Sequence, residues 1–145
     1  MESKYIDNII QNAVNFAKDK DHEYVTLEHI MFCLLENDEI TTLVKECKVD
    51  LNNIVEDLNQ YLDDSDLNGL KSEHGPKGDP KKTLSIERVI QRALAQCIFS
   101  GREEVKPLDM FLSILSENNS HASYFCLLNV LDKNILVDHL ETKYN

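Results

Sequence analysis

Residues 6–37 recur, shifted by eighty positions, as residues 86–117. Ile6, Ile9, Ile10, Ala13 and Ala17 line up with Ile86, Val89, Ile90, Ala93 and Cys97. Glu23-x-Val25 meets Glu103-x-Val105, and Ile30-Met31-Phe32-x-Leu34-Leu35 meets Met110-Phe111-Leu112-x-Ile114-Leu115. Few of these positions are identical, yet the apolar register is kept without a gap. Such a pattern predicts a duplication in which each copy buries part of its apolar face against the other. The boundary between the copies is therefore the first place to look for a binding site.

The spacing of apolar residues at three and four, with Gly and Pro nearly absent from both copies, predicts an all-α fold. Each copy reads as four helices, so the expectation is two pseudo-twofold related four-helix repeats forming one eight-helix domain. Repeat one covers about 1–62 and repeat two about 83–145. The stretch 63–82 between them holds three of the four glycines and two of the three prolines, and reads as a mobile linker. The first helix runs from about Ser3 to Lys20; its counterpart begins at Ile86 with Ser85 as N-cap. Thr26 caps the second helix, and Pro107 suits the first position of its counterpart. Short third helices fall near 39–46 and 120–128. The fourth start after Asp50 and Asp132, where the offset becomes 82, so a small insertion lies in the third-helix region of repeat two. Ile10 and Ile90 are expected in the core.

With 145 residues the chain can bury a core without disulfides or metals. A formal charge of −11 argues against nucleic acid and suits basic protein partners. No apolar run reaches the roughly 20 residues of a membrane span, and the N-terminus lacks the apolar stretch of a signal peptide. Cys33, Cys47, Cys97 and Cys126 form no C-x-x-C pair and read as reduced cysteines of a cytoplasmic protein.

Catalytic motifs are missing. There is no P-loop, no G-x-G-x-x-G and no G-x-S-x-G elbow. His22-Glu23 and Glu28-His29 lack the four-residue histidine spacing of a zinc protease. A zinc ion held by His22 with Glu23 or Glu28, as in a small metallohydrolase, is the competing reading. The reading kept here is an exposed polar loop before a helix cap, with no metal and no catalytic residue. Glu23, Thr26, Glu28, Thr83 and Arg88 gather where the duplication brings the start of the second helix near the start of the fifth. They are either ordinary helix-start residues or a polar patch that orients a partner.

The run His22-Glu23-Tyr24-Val25-Thr26-Leu27-Glu28-His29-Ile30 resembles the Clp N-terminal domain of AAA+ unfoldases. Cys47-Lys48-Val49-Asp50-Leu51 and Leu84-Ser85-Ile86-Glu87-Arg88-Val89-Ile90-Gln91-Arg92-Ala93 are similar to its other signature segments. Ser100-Gly101-Arg102-Glu103-Glu104-Val105 resembles the ClpA type in particular. The resemblance implies a non-catalytic module, excised from a larger ATPase, that binds the adaptor ClpS and passes substrates on for unfolding and degradation by ClpP. It implies no cofactor in this domain, with ATP and magnesium in the parent. It places Glu23, Thr26, Glu28, Thr83 and Arg88 on the adaptor-facing edge. The alternative it leaves open is a ClpC- or ClpB-type domain that receives other adaptors or unfolded chains directly.

Overall fold

The computed structural model describes residues 4–72, 78–129, 131 and 133–144. Repeat one is built from α1 (Lys4–Asp19), α2 (Leu27–Leu34), α3 (Asp38–Glu46) and α4 (Leu51–Asp63). A four-residue turn of helix, α5 (Ser65–Asn68), follows. Repeat two contains α6 (Leu84–Phe99), α7 (Pro107–Leu115), α8 (His121–Leu128) and α9 (Lys133–Tyr144). The architecture is the expected pair of four-helix repeats.

The duplication extends from the apolar pattern to the backbone. Ile6, Ile9, Ala13 and Ala17 of α1 are buried, as are Ile86, Val89, Ala93 and Cys97 of α6. Both helices end in the same left-handed turn, at Asp21 with φ 59° and at Gly101 with φ 70°. Beyond it, the amides of His22 and Arg102 return to the carbonyls of Ala17 and Cys97 at 2.9 and 3.1 Å. This is the Schellman closure, which satisfies carbonyls the helix end leaves open.

Helices α2 and α7 lie at the centre. Ile30, Met31 and Leu34 of one and Met110, Phe111 and Ile114 of the other have no exposed surface. They pack against each other, and each repeat's third helix packs on the other's second: α3 on α7, and α8 on α2. One continuous core results, so neither copy closes its apolar face alone.

Several local expectations are corrected. The residue before α6 is Thr83, not Ser85; the two hydroxyls lie 3.1 Å apart. Ile10 and Ile90 sit half-buried at the core margin, because the inward face of each helix is centred on Ile9 and Val89. Asp50 caps α4 as expected, accepting from the amides of Asn52 and Asn53. Asp132 falls outside the described residues.

The 63–82 stretch is anchored wherever it is described. The Asn68 amide donates to the carbonyls of Tyr61 and Leu62, and Leu70 is buried. The Glu23 amide donates to the Leu70 carbonyl at 2.7 Å, and the Ser72 amide to the Asp21 carbonyl at 2.9 Å. On the other side β1 (Tyr24–Val25) pairs in parallel with β2 (Lys81–Lys82). The loop before α2 is thus held between both ends of the connection. Residues 73–77, the middle of the expected linker, lie outside the described part.

A candidate docking cleft between the repeats

A cleft of about 290 Å³ opens where the starts of α2, α6 and α8 converge. Thr26 and Glu28 enter from repeat one, and Thr83 and Arg88 from repeat two; Glu117, Ser120 and His121 close the far wall. Four of the five residues singled out in the sequence therefore share one site. Glu23 does not line it. Its side chain is exposed just before β1, while its backbone ties Leu70 on one side and Lys81 on the other.

Glu28 differs from the expected rim carboxylate. It is only 6% exposed, and its Oε2 accepts the amide of Ala122 at 3.0 Å. It therefore caps the first turn of α8 from the opposite repeat, where the helix dipole favours a negative charge. Burial pushes its pKa up; the Ala122 amide and nearby His121 pull in the other direction without cancelling that shift.

Arg88 is exposed and forms a forked pair with Glu117, with Nε to Oε1 at 3.1 Å and Nη2 to Oε2 at 3.4 Å. Arg92 adds a bond to the same carboxylate at 3.3 Å and donates to the Ser113 carbonyl at 2.8 Å. The Arg88 bond, with help from Arg92 and against some desolvation, holds Glu117 below the usual carboxylate range. Sequence reasoning missed Glu117, Ser120 and His121. Glu117 stands opposite Asn37, a different residue type, at the end of the matched block, and Ser120 and His121 lie beyond it, where the offset that aligns the repeats breaks down.

It also misplaced the histidines. His22 and His29 are both buried, not exposed. His22 Nδ1 and His29 Nε2 are 2.8 Å apart, and His29 Nδ1 accepts the Thr26 amide at 2.9 Å. The equivalent bond in repeat two runs from the Lys106 amide to Asp109 at 2.8 Å. His29 is thus the α2 counterpart of the Asp109 cap, a role its place three residues after Thr26 offers as a sequence signal. Among the described residues no group of three or more His, Cys, Asp or Glu is arranged to hold a metal.

The pseudo-twofold axis generates a second cleft, where Lys106 and Leu108 at the start of α7 face Asp38 and Glu39 at the start of α3. Leu108 occupies the place of Glu28, and Arg102 closes on Asp109 through two bonds of 2.6 and 2.7 Å. The two copies differ in chemistry at these openings. One is floored by a capped carboxylate, the other by leucine and a closed ion pair.

A duplicated all-α domain with clefts at its helix starts is a recognisable class, and comparison with known proteins places it. The family model described as the Clp repeat (R) N-terminal domain matches residues 3–128, and the chain belongs to that family. The Clp N-terminal domain is non-catalytic. A ClpA homologue from Fuscovulum blasticum is 32% identical over 123 residues, 85% of this chain and 15% of that protein. The chain thus spans a small fraction of that relative. Among solved structures, the Hsp104 N-terminal domain of Candida albicans aligns with TM-score 0.78 at 14% identity, covering 92% of this chain and 85% of that one. A ClpV N-domain in complex with a VipB peptide aligns with TM-score 0.62 at 18% identity, covering 94% and 87%. No described helix is long and apolar enough to cross a membrane.

Proposed function

We propose that this chain is the adaptor- and substrate-docking domain of a cytoplasmic ClpA-type unfoldase. In this reading it binds a ClpS-type adaptor and delivers substrates to a parent that uses ATP and magnesium, and thence to ClpP. The observation carrying the proposal is the convergence of Thr26, Glu28, Thr83 and Arg88, drawn from both repeats, on one cleft. Identity to a ClpA homologue supports the ClpA type. An N-domain of a ClpC- or ClpB-type chaperone that binds other adaptors or unfolded proteins directly is the second reading, and the similar fold of a ClpV N-domain in complex with a VipB peptide supports it.

Arg88 is the residue to test, because it is exposed and its loss leaves Arg92 on Glu117. Arg88→Glu should weaken binding of purified ClpS by roughly tenfold or more, mostly through association rate and salt dependence, with the melting temperature held. Unchanged ClpS affinity would move the adaptor surface elsewhere. Absence of ClpS binding by the wild type would favour direct peptide recognition.

A further inference from the structure

Helix α8 is apolar on both faces. Its inner side buries Ala122 and Cys126 completely. Its outer side presents Tyr124, Leu127 and Leu128, which are 54%, 58% and 59% exposed. These positions lie three and four apart and form one stripe. A surface helix ordinarily turns polar residues outward, so a stripe of three large apolar side chains calls for a partner.

The surroundings say which partner. Between Pro107 and Asp132 the sequence has no lysine or arginine, and none occurs between Val49 and Leu70. The second segment forms α4, which packs along α8: Tyr61 stacks on His121 with ring centroids 4.3 Å apart, and the Asn129 side chain donates to Asp57 at 3.1 Å. Glu56 and Asp64 are exposed on the same helix and its end. Among the described residues no ion pair neutralises Glu56, Asp57 or Asp64. The stripe is therefore an apolar strip beside a carboxylate-bearing helix, with no cation supplied by either α4 or α8.

We propose that the α8–α4 face docks an amphipathic helix of a partner protein, with apolar residues seated on Tyr124, Leu127 and Leu128 and lysine or arginine directed at the α4 carboxylates. Knobs spaced at three and four accept the ridges of another helix, and carboxylates with no ion-pair partner among the described residues select a basic flank. An anionic lipid surface would be repelled by the same carboxylates. Two copies of this chain, each with formal charge −11, would bring like charges together in any self-complementary contact. The surface begins one turn beyond the cleft wall at His121 and does not use Arg88, so it stands independently of the ClpS reading.

The probe is a synthetic amphipathic peptide of about five helical turns, with leucine on one face and lysine on both flanks. Its controls carry glutamate in place of lysine, or the same residues in scrambled order. Fluorescence anisotropy should show the lysine helix binding at least about tenfold tighter than either control, and more weakly at high salt. Tyr124→Ser/Leu128→Asn should lose that tenfold with an unchanged melting curve. Phe99→Ser, which alters another exposed aromatic at the far end of α6, should bind like wild type. Hydrogen exchange on the wild type should show protection along α8 and α4. Equal binding of the three peptides, or a double variant that binds as wild type does, would overturn the proposal. So would sedimentation of the wild type as a dimer that the double variant abolishes, or binding of anionic vesicles in preference to the peptide.

Discussion

His29 donates from Nε2 to Nδ1 of His22 across 2.8 Å, and the direction of that bond is fixed by its neighbours. The Thr26 amide can only donate, so His29 Nδ1 is the acceptor and its proton resides on Nε2. His22 Nδ1 must then accept, so its own proton resides on Nε2. Two hydrogen bonds of fixed direction thus run from the Thr26 amide at the cap of α2, through His29, to His22. They exist only while both rings are neutral.

That arrangement sets a pH dependence. Burial first, then His22 and Lys20, lowers the His29 pKa to about 3; burial and Lys20 lower that of His22. The unfolded chain takes up protons below about pH 6.5 that the folded chain refuses, so stability is full above that pH and falls toward pH 3. Each histidine adds up to about 1.4 kcal/mol per pH unit to the slope. Glu28, with its raised pKa, offsets part of this at the acid end. His29→Asn keeps an acceptor for the Thr26 amide and removes one titrating ring. Urea melts at pH 6.5 and 5 should show a flatter slope in the variant. Equal slopes would mean that His29 is charged in the folded protein.

Glu28→Lys is expected to unfold the repeat interface rather than merely repel an adaptor. It removes the acceptor of the Ala122 amide and buries an ammonium group in its place, a change that costs on the order of 3 kcal/mol or more. Glu28→Gln retains an oxygen for that amide and should cost only about 1 kcal/mol. Denaturant midpoints of the pair decide the matter. A lysine variant as stable as wild type would show that α8 does not depend on this cap.

The helices and their inner faces were legible because burial imposes a period: Ile6, Ile9, Ala13 and Ala17 could be read directly and again eighty residues later. The cleft was half legible. Thr26, Glu28, Thr83 and Arg88 lie at helix starts, which sequence marks well. Glu117 pairs with Asn37, a residue of different chemistry, and His121 lies past the matched block, where the repeat alignment gives no guide. The buried state of Glu28 and His29 was hidden because polar residues read as exposed unless their partners are known. Ala122, which satisfies Glu28, is 94 residues away in sequence. The strands β1 and β2 have two residues each, too few for an alternating pattern to emerge.

The core margin offers a comparison within one helix turn. Ile9 is 6% exposed, whereas Ile10 is half-buried. Ile9→Ala should cost roughly 2–5 kcal/mol, the range for a buried aliphatic, and Ile10→Ala under about 2 kcal/mol. Chemical denaturation of both variants would show whether the larger loss falls on Ile9. The reverse order would mean that α1 is rotated toward Ile10.

The left-handed turns after α1 and α6 test the duplication at the level of backbone energetics. Gly101 has φ 70°, and a Cβ placed there would meet nothing within 4 Å. Gly101→Ala therefore carries a purely conformational penalty of about 1–2 kcal/mol, with no packing clash to confuse it. Asp21 already pays a similar cost at φ 59°, lessened because aspartate tolerates this region better than most residues. Asp21→Gly should be neutral or stabilising by up to about 1 kcal/mol. Its carbonyl bond from Ser72 is made by the backbone and survives the change. Opposite signs for the two variants in thermal melts would confirm that both repeats leave their first helix by the same left-handed step. A stabilising Gly101→Ala would show that the second turn relaxes out of the left-handed region and that the correspondence ends there.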